Sequence, residues 1–263
     1  MNARPPVSTV SILALEGVSV RFGGVKALND VTLRIPPGPG VSAIIGPNGA
    51  GKTTLFNVLT GIIRPTTGRI LIEGQDVTGR RPDEIFRARV SRTFQGVRLF
   101  KNLTVYDNVQ LAARSVPVPG SQMAPWFSQG RAAKNRTEEA LEAVGLERRL
   151  WSALPDRLTL LEQRLVEIAR ALTVSPVALL LDEPAAGMNT AEKQRLCSLF
   201  TSLSSVFGCR IVVVEHDMKL VMSVAERIWV MNFGRLLSEG TPEEIRADEA
   251  VIEAYLGIQA HHG

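Results

Sequence analysis

Cysteine is scarce in this chain. Cys197 and Cys209 are the only two in 263 residues, with no CxxC spacing and no histidine pair beside them. That excludes a disulfide framework and a thiolate zinc centre, and it fits reduced thiols of the cytosolic kind. Long apolar runs are missing too. The most apolar segments, 177–181 and 211–214, have the length of buried strands; a membrane span needs roughly 18 apolar residues or more. The opening MNARPPVSTV has prolines and no continuous apolar stretch, so it does not read as a signal peptide. Histidine is nearly absent: His216 stands apart from the pair His261 and His262, which reads as a solvated tail. Nor is there a marked excess of charge. The 30 Lys and Arg are mixed with 26 Asp and Glu for a net of +4, which reads as solvated surface rather than a nucleic-acid footprint. Internal repeats and heptad runs are lacking as well.

What remains is an ordinary globular composition, 45% hydrophobic, long enough for one large α/β domain or a core with a smaller lobe. Residues 13–35 alternate apolar and polar side chains around Phe22-Gly23-Gly24, the pattern of an antiparallel hairpin. A β-branched run at 41–45 stops at a glycine-rich loop and is followed by a helical pattern at 53–59, with a further strand at 69–73. From Pro82 the pattern is helical, with helices at 105–114, 137–144 and 162–172. Between the first two lies 116–130, rich in Pro, Gly, Ser and Gln and carrying Trp126 and Phe127, which reads as a surface insertion or a partner contact. Strand-like runs return at 177–181, 211–215 and 228–233, with a helix at 191–206, and this βαβ alternation calls for a parallel sheet. The expected arrangement is a core of about 10–81 and 173–240, a helical lobe of about 82–172 between its halves, and a helical tail of about 241–263.

The loop Gly46-Pro47-Asn48-Gly49-Ala50-Gly51-Lys52-Thr53-Thr54 satisfies GxxxxGK[ST] in full, after a strand and before a helix as the chemistry requires. Its glycines let successive backbone N–H groups turn inward around phosphates, and the helix start adds its positive end. Lys52 then neutralises the β and γ oxygens, and the Thr53 hydroxyl coordinates Mg²⁺. Downstream, Leu179-Leu180-Leu181-Asp182-Glu183 is a buried strand ending in adjacent carboxylates. Asp182 is suited to holding Mg²⁺ through water, and Glu183 to orienting and deprotonating an attacking water.

Further strings follow in order: RFGG at 21–24, RTFQ with Gln95, Leu158-Thr159-Leu160-Leu161-Glu162-Gln163-Arg164, DEPAAGMN from Asp182, EHDMKLVM containing His216, and Ala254-Tyr255-Leu256-Gly257. Over nearly the whole chain these resemble an ABC-transporter ATP-binding subunit, and the set is most similar to the branched-chain amino-acid importer ATPases; the amide and urea uptake systems are close to that group. The resemblance implies an α/β P-loop NTPase core with a parallel sheet, an antiparallel β subdomain and an inserted helical subdomain. It implies ATP and Mg²⁺ as ligands and ATP hydrolysis coupled to solute uptake. By the same resemblance Phe22 stacks on adenine, Gln95 reaches Mg²⁺ or the attacking water, and His216 contacts the γ-phosphate and positions Glu183. The implied assembly pairs two cassettes head to tail, each ATP held by one chain's loop and covered by the other's signature segment at Thr159 and Leu161. Two permease subunits and, indirectly, a solute-binding protein complete it, at the cytoplasmic face of the cell membrane and with no nucleic acid.

One departure stands out. The usual signature is Leu-Ser-Gly-Gly-Gln, and Leu161 occupies the position of its second glycine. Bulk where backbone must approach phosphate, and resistance to positive φ, lead to the expectation of an impaired site and hence of a heterodimer whose better site is the one at Lys52. A weakly hydrolysing regulatory subunit is the competing reading; Glu183 and His216 weigh against it. ABC proteins acting on ribosomes or DNA carry tandem cassettes, heptad insertions or zinc-binding cysteines, none of which this sequence has.

Overall fold

A computed structural model describes residues 11–116 and 126–259, the side chains of 126–129 and 256–259 excepted. The first ten residues, most of the 116–130 segment with the Trp126 and Phe127 side chains, and His261 and His262 lie outside the described residues.

The hairpin forms as its alternation dictates. Strands β1 (Leu13–Phe22) and β2 (Val25–Ile35) pair antiparallel and send Leu13, Leu15, Val18, Leu28, Val31 and Leu33 to one buried face. β3 (Gly40–Ile45) leads into α1 (Lys52–Leu59), and β4 (Thr67–Ile72) and β5 (Gln75–Asp76) return to the hairpin. The resulting antiparallel sheet has the order β2-β1-β4-β5. Next come α2 (Pro82–Arg87), with proline in its first turn, and β6 (Val90–Arg92). The lobe is α3 (Val105–Arg114), α4 (Trp126–Ala143) and α5 (Leu160–Leu172). β7 (Ala178–Asp182), α6 (Thr190–Phe207), β8 (Arg210–Val214), α7 (Met218–Val224), β9 (Arg227–Asn232), β10 (Arg235–Gly240), α8 (Pro242–Ala247) and α9 (Glu249–Gln259) follow.

The second sheet has the order β10-β9-β3-β8-β7-β6, parallel throughout except that β10 runs antiparallel to β9. Every residue of β7 and β8 is buried, which is why both read as continuous apolar runs rather than alternating ones. α1 packs Leu55, Phe56 and Leu59 between the two sheets, and a separate apolar cluster joins α3, α5 and α6 to the other face of the parallel sheet.

Two elements differ from expectation. β6 lies inside the stretch that reads as helical, yet it pairs with β7 and closes the edge of the parallel sheet. Three residues are too few for a period to show. α4 starts at Trp126 rather than near residue 137, so the last part of the Pro/Gly-rich segment is helical backbone. Among the described residues, no helix is long and apolar enough to cross a membrane.

Candidate active site

At the end of β3 the chain enters the 46–51 loop and turns into α1. Gly46 has φ 154 and Gly51 has φ 100. A Cβ on Gly46 would stand 2.2 Å from the Met231 carbonyl oxygen, and one on Gly51 would stand 2.6 Å from that of Ala27. Glycine is therefore required at both places by close backbone approach, and at Gly51 also by conformation. The loop is pinned by hydrogen bonds that the Ala50 N–H donates to the Pro47 carbonyl and the Gly234 N–H to the Ala50 carbonyl.

Gly51 serves as the N-cap of α1 and supplies no side-chain cap. By contrast α3, α5, α6, α7 and α8 each begin with a side chain that accepts a backbone N–H: Thr104, Thr159, Asn189, Asp217 and Thr241. The first N–H groups of α1 are thus left for an external anion, where the helix dipole favours one.

Lys52, only 7% exposed, folds back over the loop, its ammonium donating to the carbonyls of Gly46 at 2.7 Å and Pro47 at 3.0 Å. Burial pushes its pKa below the usual lysine value, and the carboxylates of Glu183 and Asp182 pull the other way. Asn48, Gly49, Ala50, Gly51, Lys52, Thr53 and Thr54 line a cleft of about 490 Å³, with Gln95 and Glu183 on its far wall. The Gln95 amide donates to Glu183 Oε2 at 2.8 Å, so the two residues arrive together although 88 positions separate them.

Glu183 holds φ 44, an uncommon left-handed conformation for a residue with a side chain. The strand end and its neighbours fix it there: its N–H donates to the Val214 carbonyl, and its own carbonyl accepts from Ala186. Asp182 sits behind it, 2% exposed, with Oδ2 accepting from Arg92 at 2.6 Å. Arg92 also donates to Asn57 Oδ1 at 2.6 Å and lies over the Phe56 and Phe94 rings. One cation therefore ties α1, the end of β7 and the segment leading to Gln95.

Other residues singled out in the sequence stand elsewhere. Phe22 ends β1, half-exposed and opposite Val25; Val25 lines the cleft and Phe22 does not. His216 is exposed just past β8 and is not among the lining residues. Thr159 caps α5 with a complete capping box, and neither it nor Leu161 borders this chain's cleft. Sequence reasoning passed over Arg92, Lys26 and Phe233, the last 85% exposed on the cleft wall. None of the three carried a local signal: Arg92 stands between Ser91 and Thr93, and its buried partner Asp182 is 90 positions away.

Leu161 turns its bulk inward rather than toward the surface. Leu161 is the second residue of α5, absent from the positive-φ positions, and 6% exposed among Leu158, Leu165 and other lobe residues. Its side chain is part of the lobe core. Leu160 is the exposed one, at 40%, and its Cδ2 lies 3.1 Å from where a Cβ on Gly187 would stand. With that, the reason for expecting unequal sites disappears.

The comparisons agree with this geometry. The sequence profile of the ABC transporter family matches residues 28–186, and a second profile, described as branched-chain amino acid ATP-binding cassette transporter, matches 235–261. The high-affinity branched-chain amino acid transport ATP-binding protein LivG of Escherichia coli K12 is 43% identical over 94% of this chain and 98% of its own length. Among solved structures, the ADP conformation of an ABC-transporter cassette superposes with TM-score 0.80 at 30% identity, covering 95% of this chain and 100% of that one. A dimeric post-hydrolysis cassette bound to ADP and Pi superposes with TM-score 0.73 at 28% identity, over 88% of this chain and 98% of that one. An uncapped phosphate loop facing a glutamine–glutamate pair, on this fold and with these relatives, places the chain in the ABC transporter family, among the ATP-binding cassettes of the branched-chain amino-acid group.

Proposed function

We propose that ATP-Mg²⁺ occupies the Lys52 cleft and that its hydrolysis powers uptake of branched-chain amino acids through membrane subunits that this chain does not itself contain. The observation that carries the reading is the Gln95–Glu183 pair facing the uncapped start of α1 across one cleft. The cradle suits a polyphosphate, because close backbone approach at Gly46 and Gly51 fixes the loop's curvature, and the first N–H groups of α1, which no side chain caps, are left for phosphate oxygens. Lys52 then exchanges its two carbonyl partners for β and γ oxygens.

The metal would be held by Thr53, at the exposed lip of the cleft, and Gln95, with Asp182 acting through water because Arg92 already holds its Oδ2. Mg²⁺ held there would supply positive charge against the negative charge that develops on the phosphate oxygens. Glu183 takes the proton of the attacking water, and the Gln95 amide orients the carboxylate. His216, exposed beyond β8, meets the γ-phosphate as the site closes, and Phe22 meets the base. Closure comes from a second homologous cassette, whose Thr159 and Leu161 segment covers this chain's nucleotide while this chain's segment covers the partner's. That a dimeric cassette with ADP and Pi shares the fold supports this arrangement. Two permease subunits and a solute-binding protein complete the importer, with the cassettes at the cytoplasmic face of the membrane.

In the assembled transporter, Glu183→Gln is expected to lower ATP turnover by about 10²–10⁴-fold while nucleotide binding persists. Undiminished hydrolysis in that variant would remove Glu183 from the role of base. Uptake of labelled leucine, isoleucine and valine against labelled urea and amides tests the solute: transport of urea alone would overturn the amino-acid assignment.

A further inference from the structure

Glu215 lies at the end of β8, between the buried strand and His216, and is 1% exposed. Among the described residues the buried carboxylates are Asp182, Glu167 and Glu215. Arg92 pairs with the first and Arg164 with the second, and no ion pair forms on the third. Instead its Oε1 accepts the backbone N–H of Ala185 at 2.9 Å, and its Oε2 lies 3.3 Å from the N–H of His216. Burial pushes its carboxyl above the usual range, against the opposing effect of these N–H groups and His216. A buried carboxylate without a cation is costly.

The place of its hydrogen bond accounts for that cost. Ala185 lies two residues past Glu183, across Pro184, on the segment that leaves β7. Proline offers no N–H, so the first donor after Glu183 that can anchor this segment is Ala185. Glu183 itself is held at φ 44, which needs support from both sides. Upstream the support is the Glu183 N–H on the Val214 carbonyl; downstream it is the Ala185 N–H on Glu215. The first anchor is the last residue of β8 and the second, Glu215, is the residue that follows it and leads into His216.

We propose that Glu215 is a positioning residue for hydrolysis, its carboxylate fixing the backbone on which Glu183 is presented and the strand end from which His216 emerges. It touches neither nucleotide nor water and acts through the hydrogen bond to Ala185. The inference rests on the roles assigned above to Glu183 and His216.

The test compares Glu215→Met, which keeps the volume and removes the acceptor, with Glu215→Gln, which keeps an acceptor for Ala185. In the assembled transporter Glu215→Met should lower kcat for ATP by ~10-fold or more, as expected for a misplaced base, with KM for ATP within about two-fold. Glu215→Gln should recover most of that loss. Glu215→Gln sheds only the charge, so its Tm is expected to hold or rise, whereas Glu215→Met also leaves the buried Ala185 N–H unpaired and its Tm is expected to fall; kcat of both is therefore read well below the lower Tm, which separates lost positioning from lost folding. Unchanged kcat in Glu215→Met, a KM that rises as kcat falls, or Glu215→Gln as slow as Glu215→Met would each overturn the proposal. If Glu215→Met does not fold, hydrogen exchange decides on the wild-type chain: the Ala185 amide should be as protected as those of β7, and exchange at an open-loop rate would overturn it. Glu183→Gln runs alongside. Full turnover there removes the base assignment and this inference with it, whereas a dead Glu183→Gln beside a fully active Glu215→Met removes the inference alone.

Discussion

Two helix starts in this chain are built in opposite ways. α1 opens on Gly51, with φ 100 and no capping side chain, while α5 opens on Thr159 with its capping box closed. At α5 the Thr159 hydroxyl accepts the Glu162 N–H at 3.3 Å, and the Glu162 carboxylate accepts the Thr159 N–H at 2.7 Å. The α5 cap raises stability by satisfying its own donors. At α1 the donors are left unsatisfied within the chain and only an anion completes them. The uncapped start of α1 borders the cleft and suits an anion, whereas the capped start of α5 satisfies its own donors; α2, whose Arg81 supplies no side-chain cap either, has proline in its first turn instead. The second residue of each helix carries the same contrast: Thr53 is exposed at the cleft, and Leu161 is buried in the lobe.

The comparison can be broken from either end. The largest effect is expected at the open start. Gly51→Ala places a Cβ against the Ala27 carbonyl oxygen in a left-handed conformation, a strain of ~1–3 kcal/mol before the steric overlap is counted. ATP affinity, measured by titration, should fall by about 100-fold or more. Next is Leu161→Gly, which restores the second glycine of the usual signature but empties a core position. Loss of about 3 kcal/mol or more in unfolding free energy is expected, read as a lower denaturation midpoint, with no gain in ATP turnover. A rise in turnover would reinstate the view that Leu161 obstructs the site. Smallest is Thr159→Ala, which removes the α5 cap at a cost of about 1 kcal/mol and should leave the affinity of the Lys52 site for ATP unchanged.

The parts legible in the sequence are those whose physics is local. GxxxxGK[ST] specifies a strand, a loop and a helix start within a few residues, and Lys52, Thr53 and Glu183 duly line one cleft or its wall. Apolar runs marked β7 and β8 because strands buried on both faces have nothing polar to show. What stayed hidden depends on pairing across the chain. Arg92 and Asp182 are 90 positions apart, and neither side chain announces the other. β6 becomes a strand only because β7 lies beside it. Leu161 misled for a related reason: its position in a motif was visible, but the direction of its side chain is set by α3 and α5 packing, which no string of residues records.

The ammonium of Lys52 rests on the carbonyls of Gly46 and Pro47, which lie in the loop it serves. Those two oxygens act as a template. They hold the charge in place over a loop whose own backbone bonds already pin it, so on the proposed reading little order has to be created when a polyphosphate arrives. Entry becomes a ligand exchange at a preformed centre, oxygen for oxygen. Its free-energy cost is then that of breaking two hydrogen bonds rather than of freezing a mobile segment of chain.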